Sequence, residues 1–123
     1  MNELQKQVSA IGVVPVIKLT NPQRDAAPLS DALCAGGVPI AEVTFRAAGA
    51  DEAMKIMLER HPDMLVGAGT VLTTDQVDRA VNAGAAAIVS PGLNPEVVKY
   101  CIDKGIPVCP GTANPSDLEV ALS

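Results

Sequence analysis

The sequence predicts an α/β fold in which helices cover a parallel β-sheet, and three observations support this. Short Val- and Ile-rich runs alternate with segments of helical spacing, with a period of about 20–28 residues. Hydrophobic residues make up 48 % of the chain, yet it holds one Tyr, one Phe and no Trp, so small aliphatic side chains must build the core. The length, 123 residues, suits one domain.

Five strands and six helices are expected in alternation. The strands are predicted over 12–18, 39–44, 64–67, 86–90 and 106–109. The helices are predicted over 2–10, 22–35, 49–60, 73–83 and 94–104, with a last one that begins near Pro115. Since crossovers between neighbouring strands are right-handed, such βα repetition makes the sheet parallel.

Residues at the helix ends agree with these boundaries. An asparagine N-cap precedes a proline at the first helical position in three places: Asn21-Pro22, Asn94-Pro95 and Asn114-Pro115. Thr73 to Gln76 has capping-box spacing. Left-handed C-caps are expected at Gly36, Gly84 and Gly105. The last helix stops at Ser123 after about two turns and without such a glycine, so we expect a single, truncated domain over 1–123.

Composition excludes several classes of function. The net charge of −5 argues against a nucleic-acid partner, which would require clustered Lys and Arg. The apolar runs at 11–17 and 83–89 are far shorter than the ~20 residues of a membrane span, and residues 1–10 are too polar for a secretory signal. We therefore expect a cytoplasmic protein with Cys34, Cys101 and Cys109 reduced and buried. No metal is expected, since the single histidine, His61, precedes a proline in a turn.

Polar residues collect where the predicted strands end, which is where parallel βα folds bind their ligands. They are Lys18, Glu42, Thr44, Arg46, Gly69-Thr70, Ser90-Pro91-Gly92 and Pro110-Gly111-Thr112. Period-two alternation places Glu42 and Thr44 on one face. Together they predict a site for a small anionic substrate.

Each of these motifs has a functional and a purely structural interpretation. Glu42 and Arg46 form either an acid/base with an anion clamp or a partly solvated ion pair. The GAGT segment at 67–70 either offers backbone N–H groups and the Thr70 hydroxyl to an anion or is a tight strand-to-helix turn. The segment 90–92 is most simply a turn.

Taken together, five stretches resemble the 2-keto-3-deoxy-6-phosphogluconate (KDPG) aldolase family, which includes 4-hydroxy-2-oxoglutarate (KHG) aldolases. They are VVPVI (13–17), AGGVPIAEVTFR (35–46), VGAGTVL (66–72), VSPGL (89–93) and IPVCPGT (106–112). The resemblance implies five units of a (β/α)₈ TIM barrel preceded by a helix, in a homo-oligomer. A flavodoxin-like open parallel sheet is the alternative fold.

The resemblance also implies a class I aldolase, which splits a 2-keto-4-hydroxy acid into pyruvate and an aldehyde through a lysine Schiff base, without a cofactor. Glu42 resembles the general acid/base, Arg46 and Thr70 the groups that hold the pyruvyl carboxylate, and Pro91 a pocket-lining residue. The family's catalytic lysine stands on a sixth strand, beyond this sequence.

Among the lysines present, Lys18 alone falls at a strand end. The chain alone is therefore expected to be inactive, and whether it should be called an enzyme stays open. The alternative is a structural or engineered barrel fragment that self-associates.

Overall fold

The computed structural model describes residues 1–123 and contains six helices and five strands in strict alternation. In chain order they are α1 (Glu3–Ile11), β1 (Val16–Ile17), α2 (Pro22–Ala35), β2 (Ile40–Thr44), α3 (Ala50–Arg60), β3 (Leu65–Gly69), α4 (Thr74–Asn82), β4 (Ile88–Ser90), α5 (Pro95–Asp103), β5 (Val108–Pro110) and α6 (Pro115–Leu122). The predicted elements are thus all present, including the N-terminal helix.

All five strands are parallel and stand in the order β1-β2-β3-β4-β5. Each strand lies beside the next one in the chain, so the order of the strands does not reverse at any point in the sheet. A flavodoxin-like sheet needs such a reversal, with its second strand outside the first. The alternative fold is therefore wrong. The observed order is that of consecutive strands in a (β/α) barrel.

The predicted helix starts are confirmed. The side chains of Asn21, Asn94 and Asn114 each accept a backbone N–H from the first turn, at 3.2, 3.1 and 3.0 Å. The capping box predicted at Thr73 is only half formed. The Thr73 hydroxyl accepts from the backbone N–H of Gln76, but the Gln76 side chain accepts from the backbone N–H of Leu72 instead of that of Thr73.

The predicted C-caps are correct at two of three positions. Gly84 and Gly105 have φ of 98° and 68°. Gly36 has φ of −80°, and Gly37, at 78°, adopts the left-handed conformation in its place. Because Gly36 and Gly37 are adjacent, either could adopt the left-handed conformation that ends the helix, and the sequence alone does not decide between them.

The bounds of all five strands differ from the prediction, and the differences at β1 and β3 have a clear physical reason. Strand β1 has two residues, because α1 extends to Ile11 and Gly12 then turns the chain at φ 82°, which leaves 13–15 as a connection. Strand β3 continues through Gly69, so the GAGT segment is mostly strand and its interpretation as a tight turn is wrong. Pairing with β2 imposes this extension, since Gly67 faces Glu42 and Gly69 faces Thr44.

The sheet has a packed outer face and an open inner face. Outward-facing residues such as Val43, Val66 and Ile88 are at most 1 % exposed and belong to one core with the helices. On the inner face Val16 is 57 % exposed. Helix α1 lines one side of an inner concavity of about 970 Å³, which extends along the strands and includes Glu42.

The cysteines do not share one environment. Cys101 is fully buried in the core, Cys34 is partly buried and Cys109 is exposed, so the prediction of three buried thiols is wrong for the last two. All three are free thiols. None of the helices combines the length and the apolar character needed to cross a membrane.

Candidate active site at the carboxyl ends of the strands

The topology gathers the predicted site residues at one edge of the sheet. Because all strands run in the same direction, their carboxyl ends meet at that edge. Glu42 lies in β2, Arg46 follows β2, Thr70 follows β3 and Pro91 follows β4. The side chains predicted from separate motifs thus belong to a single rim.

Glu42 is a partly buried carboxylate on the inner face of the sheet. It stands in register between Val16 of β1 and Gly67 of β3, neither of which offers a charged partner. Burial raises the pKa of this carboxyl above its ordinary value, and the positive charge of Arg46 partly opposes that rise. A carboxyl with a raised pKa is suited to exchanging protons.

The side chain of Glu42 extends diagonally across β3. A Cβ built on Gly69 would lie 2.8 Å from both Cγ and Cδ of Glu42 and would overlap its carboxylate oxygen. Gly69 faces Thr44, two residues beyond Glu42 in β2. The carboxylate therefore leans along the strands toward their carboxyl ends.

Arg46 does not form the ion pair with Glu42 that the structural interpretation of the two residues predicted. Its Nε donates instead to the Thr44 hydroxyl at 3.3 Å, and that hydroxyl donates to the backbone carbonyl of Ile17 at 2.8 Å. The guanidinium of Arg46 is exposed and acts on Glu42 through its charge alone. It is therefore available to an anion at the strand ends.

Thr44 is a residue whose role the sequence did not reveal. It is 1 % exposed, and its hydroxyl links the carboxyl ends of β1 and β2 to Arg46. The alternation of residues along the strand predicted that Thr44 lies on the same face as Glu42. Its hydrogen-bond partners, however, depend on how the strands pair, and a sequence motif carries no information about that pairing.

Thr70 has an unusual backbone. With φ of 55° it is the one residue other than glycine in the left-handed region. On either side the chain is held by neighbouring strands, since Gly69 accepts from the Phe45 amide at 2.9 Å and the Val71 amide donates to Val89 at 3.2 Å. Such outliers cost about 1–3 kcal/mol and concentrate at functional sites.

Residues 90–92 form a turn that is tied to the loop after β5. The Ser90 hydroxyl donates to the Gly92 carbonyl at 2.8 Å, and the Gly111 amide donates to the Ser90 carbonyl at 3.0 Å. A Cβ at Gly111 would overlap the carbonyl of Pro91, so the two loops are in close contact. The structural interpretation of this turn is confirmed, and it places the exposed Pro91 at the rim.

Of the two remaining candidates, Lys18 lies at the rim and His61 lies away from it. Lys18 follows β1 directly and is exposed. His61 caps the end of α3, on the amino-end side of the sheet, and bonds Asp31 through Nε2 at 2.7 Å. The single histidine is thus part of a contact between helices rather than of the site.

A parallel sheet of sequential strands with polar and charged side chains gathered toward its carboxyl ends is typical of enzymes of the (β/α)-barrel class. The comparisons with known proteins specify the class further. The model of the family described as KDPG and KHG aldolase matches residues 4–123, and the chain belongs to that family.

Individual relatives agree. A 2-dehydro-3-deoxy-phosphogluconate aldolase of Haemophilus influenzae is 42 % identical over 98 % of this chain and 56 % of its own length. The crystal structure of the 2-keto-3-deoxy-6-phosphogluconate aldolase of Zymomonas mobilis ZM4 with 3-phosphoglycerate has a TM-score of 0.85 at 37 % identity, covering 95 % of this chain and 57 % of that one.

A third relative is the KDPG aldolase of Legionella pneumophila, crystallised with pyruvate captured at low pH as a covalent carbinolamine intermediate. Its TM-score is 0.83 at 40 % identity, over 89 % of this chain and 52 % of that one. The chain thus spans about half the length of the relatives it matches.

Proposed function

We propose that the rim is the proton-transfer and carboxylate-binding part of a class I aldolase site. Its substrate would be a 2-keto-4-hydroxy acid, KDPG or KHG, split into pyruvate and an aldehyde. The observation that carries the proposal is Glu42, a carboxylate held on the inner face by burial without an ion-pair partner. Placing an acidic group there costs free energy, so a role in the chemistry explains its presence.

Glu42 would serve as the general acid and base. In a class I aldolase, protons must move on and off the carbinolamine and the enamine formed by the keto carbon and an amine. A carboxyl with a raised pKa performs both transfers nearer to neutral pH than an ordinary glutamate does. Family membership supports this role, because AEVTFR is among the stretches that resemble the family.

Arg46, Thr70 and Pro91 would hold the pyruvyl end of the substrate. A guanidinium binds a carboxylate through two parallel hydrogen bonds, and Arg46 has donors free because Nε alone is engaged, weakly, by Thr44. The Thr70 hydroxyl would add a neutral donor. Pro91 would limit the pocket on the side of β4 without adding charge.

The amine is the part that this sequence does not supply at the expected place. The resemblance puts the Schiff-base lysine on a sixth strand, and these residues form five. We therefore propose that the 123-residue chain binds pyruvate reversibly and forms no imine. Lys18 is the alternative amine, because it follows β1 at the same rim.

Borohydride reduction in the presence of pyruvate, read by intact mass, separates these alternatives. Wild type, Lys18→Ala and the control Lys55→Ala, which removes an exposed lysine of α3, are treated alike. We expect no adduct in any of them, together with pyruvate-dependent amide shifts at the strand ends in NMR spectra. An adduct lost only in Lys18→Ala would assign the Schiff base to Lys18, and absent shifts would contradict the proposed site.

A second proposal, self-association, is supported by the open parts of the sheet. Strands β1 and β5 each have one neighbour, and Val13 and Val16 are 59 % and 57 % exposed. Unpaired edges beside apolar surface favour pairing with a second copy of the chain. We propose a homo-oligomer, for which the melting temperature rises with protein concentration. A concentration-independent melting temperature with a monomeric sedimentation coefficient would contradict it.

A further inference from the structure

We propose that Gly69 is a positioning residue for Glu42: its missing side chain leaves the space through which Glu42 crosses β3 toward the carboxyl ends of the strands. The inference rests on the proposed function for its consequence, since it explains how the acid/base reaches the rim. Its geometry is independent of that function. It requires only the strand register and the position of one side chain.

The register defines where that space lies. Glu42 pairs with Gly67, whereas Gly69 pairs with Thr44, so the contact between Glu42 and Gly69 is a diagonal one across neighbouring strands. A side chain that leans along its strand reaches such a diagonal position. Any Cβ at 69 would stand within 2.8 Å of Glu42 Cγ and Cδ and overlap the carboxylate.

Two glycines of β3 face the same side, yet they differ in what a side chain would meet. A Cβ at Gly67 would have the Ala87 carbonyl at 3.6 Å as its nearest neighbour, which is an ordinary contact. A Cβ at Gly69 would meet the Glu42 side chain. Gly69 is the last residue of β3, and a glycine at such a position marks the close approach of another group, here the Glu42 side chain.

The side chain of Glu42 is flexible and only partly buried, so it can move aside when the space at 69 is filled. A methyl group there would displace the carboxylate and leave the backbone in place. The chain would still fold, while the acid/base would lose its direction toward Arg46 and Thr70. Position 69 thus controls geometry rather than stability.

The test compares Gly69→Ala with the matched control Gly67→Ala, using NMR titration of the side-chain carboxyl of Glu42 in the full 123-residue chain. We expect Gly69→Ala to change the chemical shift of this carboxyl and to lower its pKa toward the ordinary range, because the displaced group is better solvated. Gly67→Ala is expected to leave both unchanged. An unchanged titration in Gly69→Ala, or an equal change in both variants, would overturn the proposal.

A second pair of variants covers the case in which Gly69→Ala does not fold. Truncation of the side chain in Glu42→Ala removes the atoms that the new methyl group would meet. We expect Gly69→Ala to cost no stability in that background, and failure of the double variant to fold would assign Gly69 a backbone role and contradict the inference. Neither readout uses pyruvate, so a failed pyruvate titration would refute the proposed function without altering this result.

Discussion

Two carboxylates of the protein, Asp31 and Glu42, have pKa values shifted in opposite directions. Asp31 lies in α2 and accepts from Arg60 at 2.6 and 2.7 Å, with His61 at 2.7 Å. These bonds, those of Arg60 foremost, lower the pKa of Asp31 to about 2. Glu42, on the inner face, has no such bond, and burial raises its pKa.

The difference indicates what each region is built for. At the amino-end side of the helix layer a carboxylate is neutralised by side chains of the protein itself, which links α2 to the end of α3. Toward the carboxyl ends of the strands, by contrast, Glu42 and Arg46 do not form an ion pair with each other. Groups whose charges the protein does not neutralise are those available to a substrate.

The largest expected effect concerns the two faces of the sheet. Ile88 is fully buried against the helices, so we expect Ile88→Ala to lower the free energy of unfolding by about 2–5 kcal/mol. Val16 is 57 % exposed on the inner face of a single copy, so in the monomer, at low protein concentration, Val16→Ala should change it by no more than about 0.5 kcal/mol. Urea unfolding of both variants measures this, and equal losses would mean that the inner face is covered in solution.

The next effect concerns the anion-binding rim. Loss of a charged hydrogen-bond pair costs about 1.5–3 kcal/mol, so Arg46→Ala should weaken pyruvate binding by about 10- to 100-fold. Arg60→Ala removes the same charge at the opposite end of the sheet and is expected to leave binding unchanged. NMR or calorimetric titration gives the Kd, and equal weakening in both variants would show that net charge alone attracts the ligand.

Features of the fold and the site that depend on residues close together in the sequence could be predicted, whereas features that depend on contacts between distant segments could not. The asparagine N-caps were predicted because the accepting side chain and the backbone N–H that donates to it are neighbours in the chain. The extension of β3 through Gly69 was missed, since glycine favours turns and pairing with β2 overrides that preference. The candidate site residues lie at the edge of the sheet where they were expected, but the contact between Glu42 and Gly69 depends on a register that no local pattern contains.

A smaller effect concerns Asp31 in the helix layer, whose contribution to the free energy of unfolding depends on pH. A carboxyl whose pKa is lower in the folded than in the unfolded chain contributes stability above the unfolded pKa and loses it as the pH falls through the folded one. For Asp31, with a folded pKa of about 2, we expect the stability advantage of wild type over Asp31→Asn to disappear between about pH 5 and pH 2. Asp103→Asn, which breaks an exposed pair with Lys99, is the control. A pH-independent difference would mean that Asp31 acts through packing instead of charge.

The smallest effect has the opposite sign and concerns Glu42. Because folding raises its pKa above the ordinary 4.5, the charged form is disfavoured in the folded chain, and stability falls as the pH rises through the folded pKa. Glu42→Gln should therefore match wild type near pH 4 and exceed it at pH 7, by about 0.5 kcal/mol or less because the group is partly solvated. Glu119→Gln, an exposed change of the same kind in α6, is the control. If Glu42→Gln were instead less stable at neutral pH, the Glu42 carboxylate would be stabilised by its neighbours as Asp31 is, and its availability to a substrate would be contradicted.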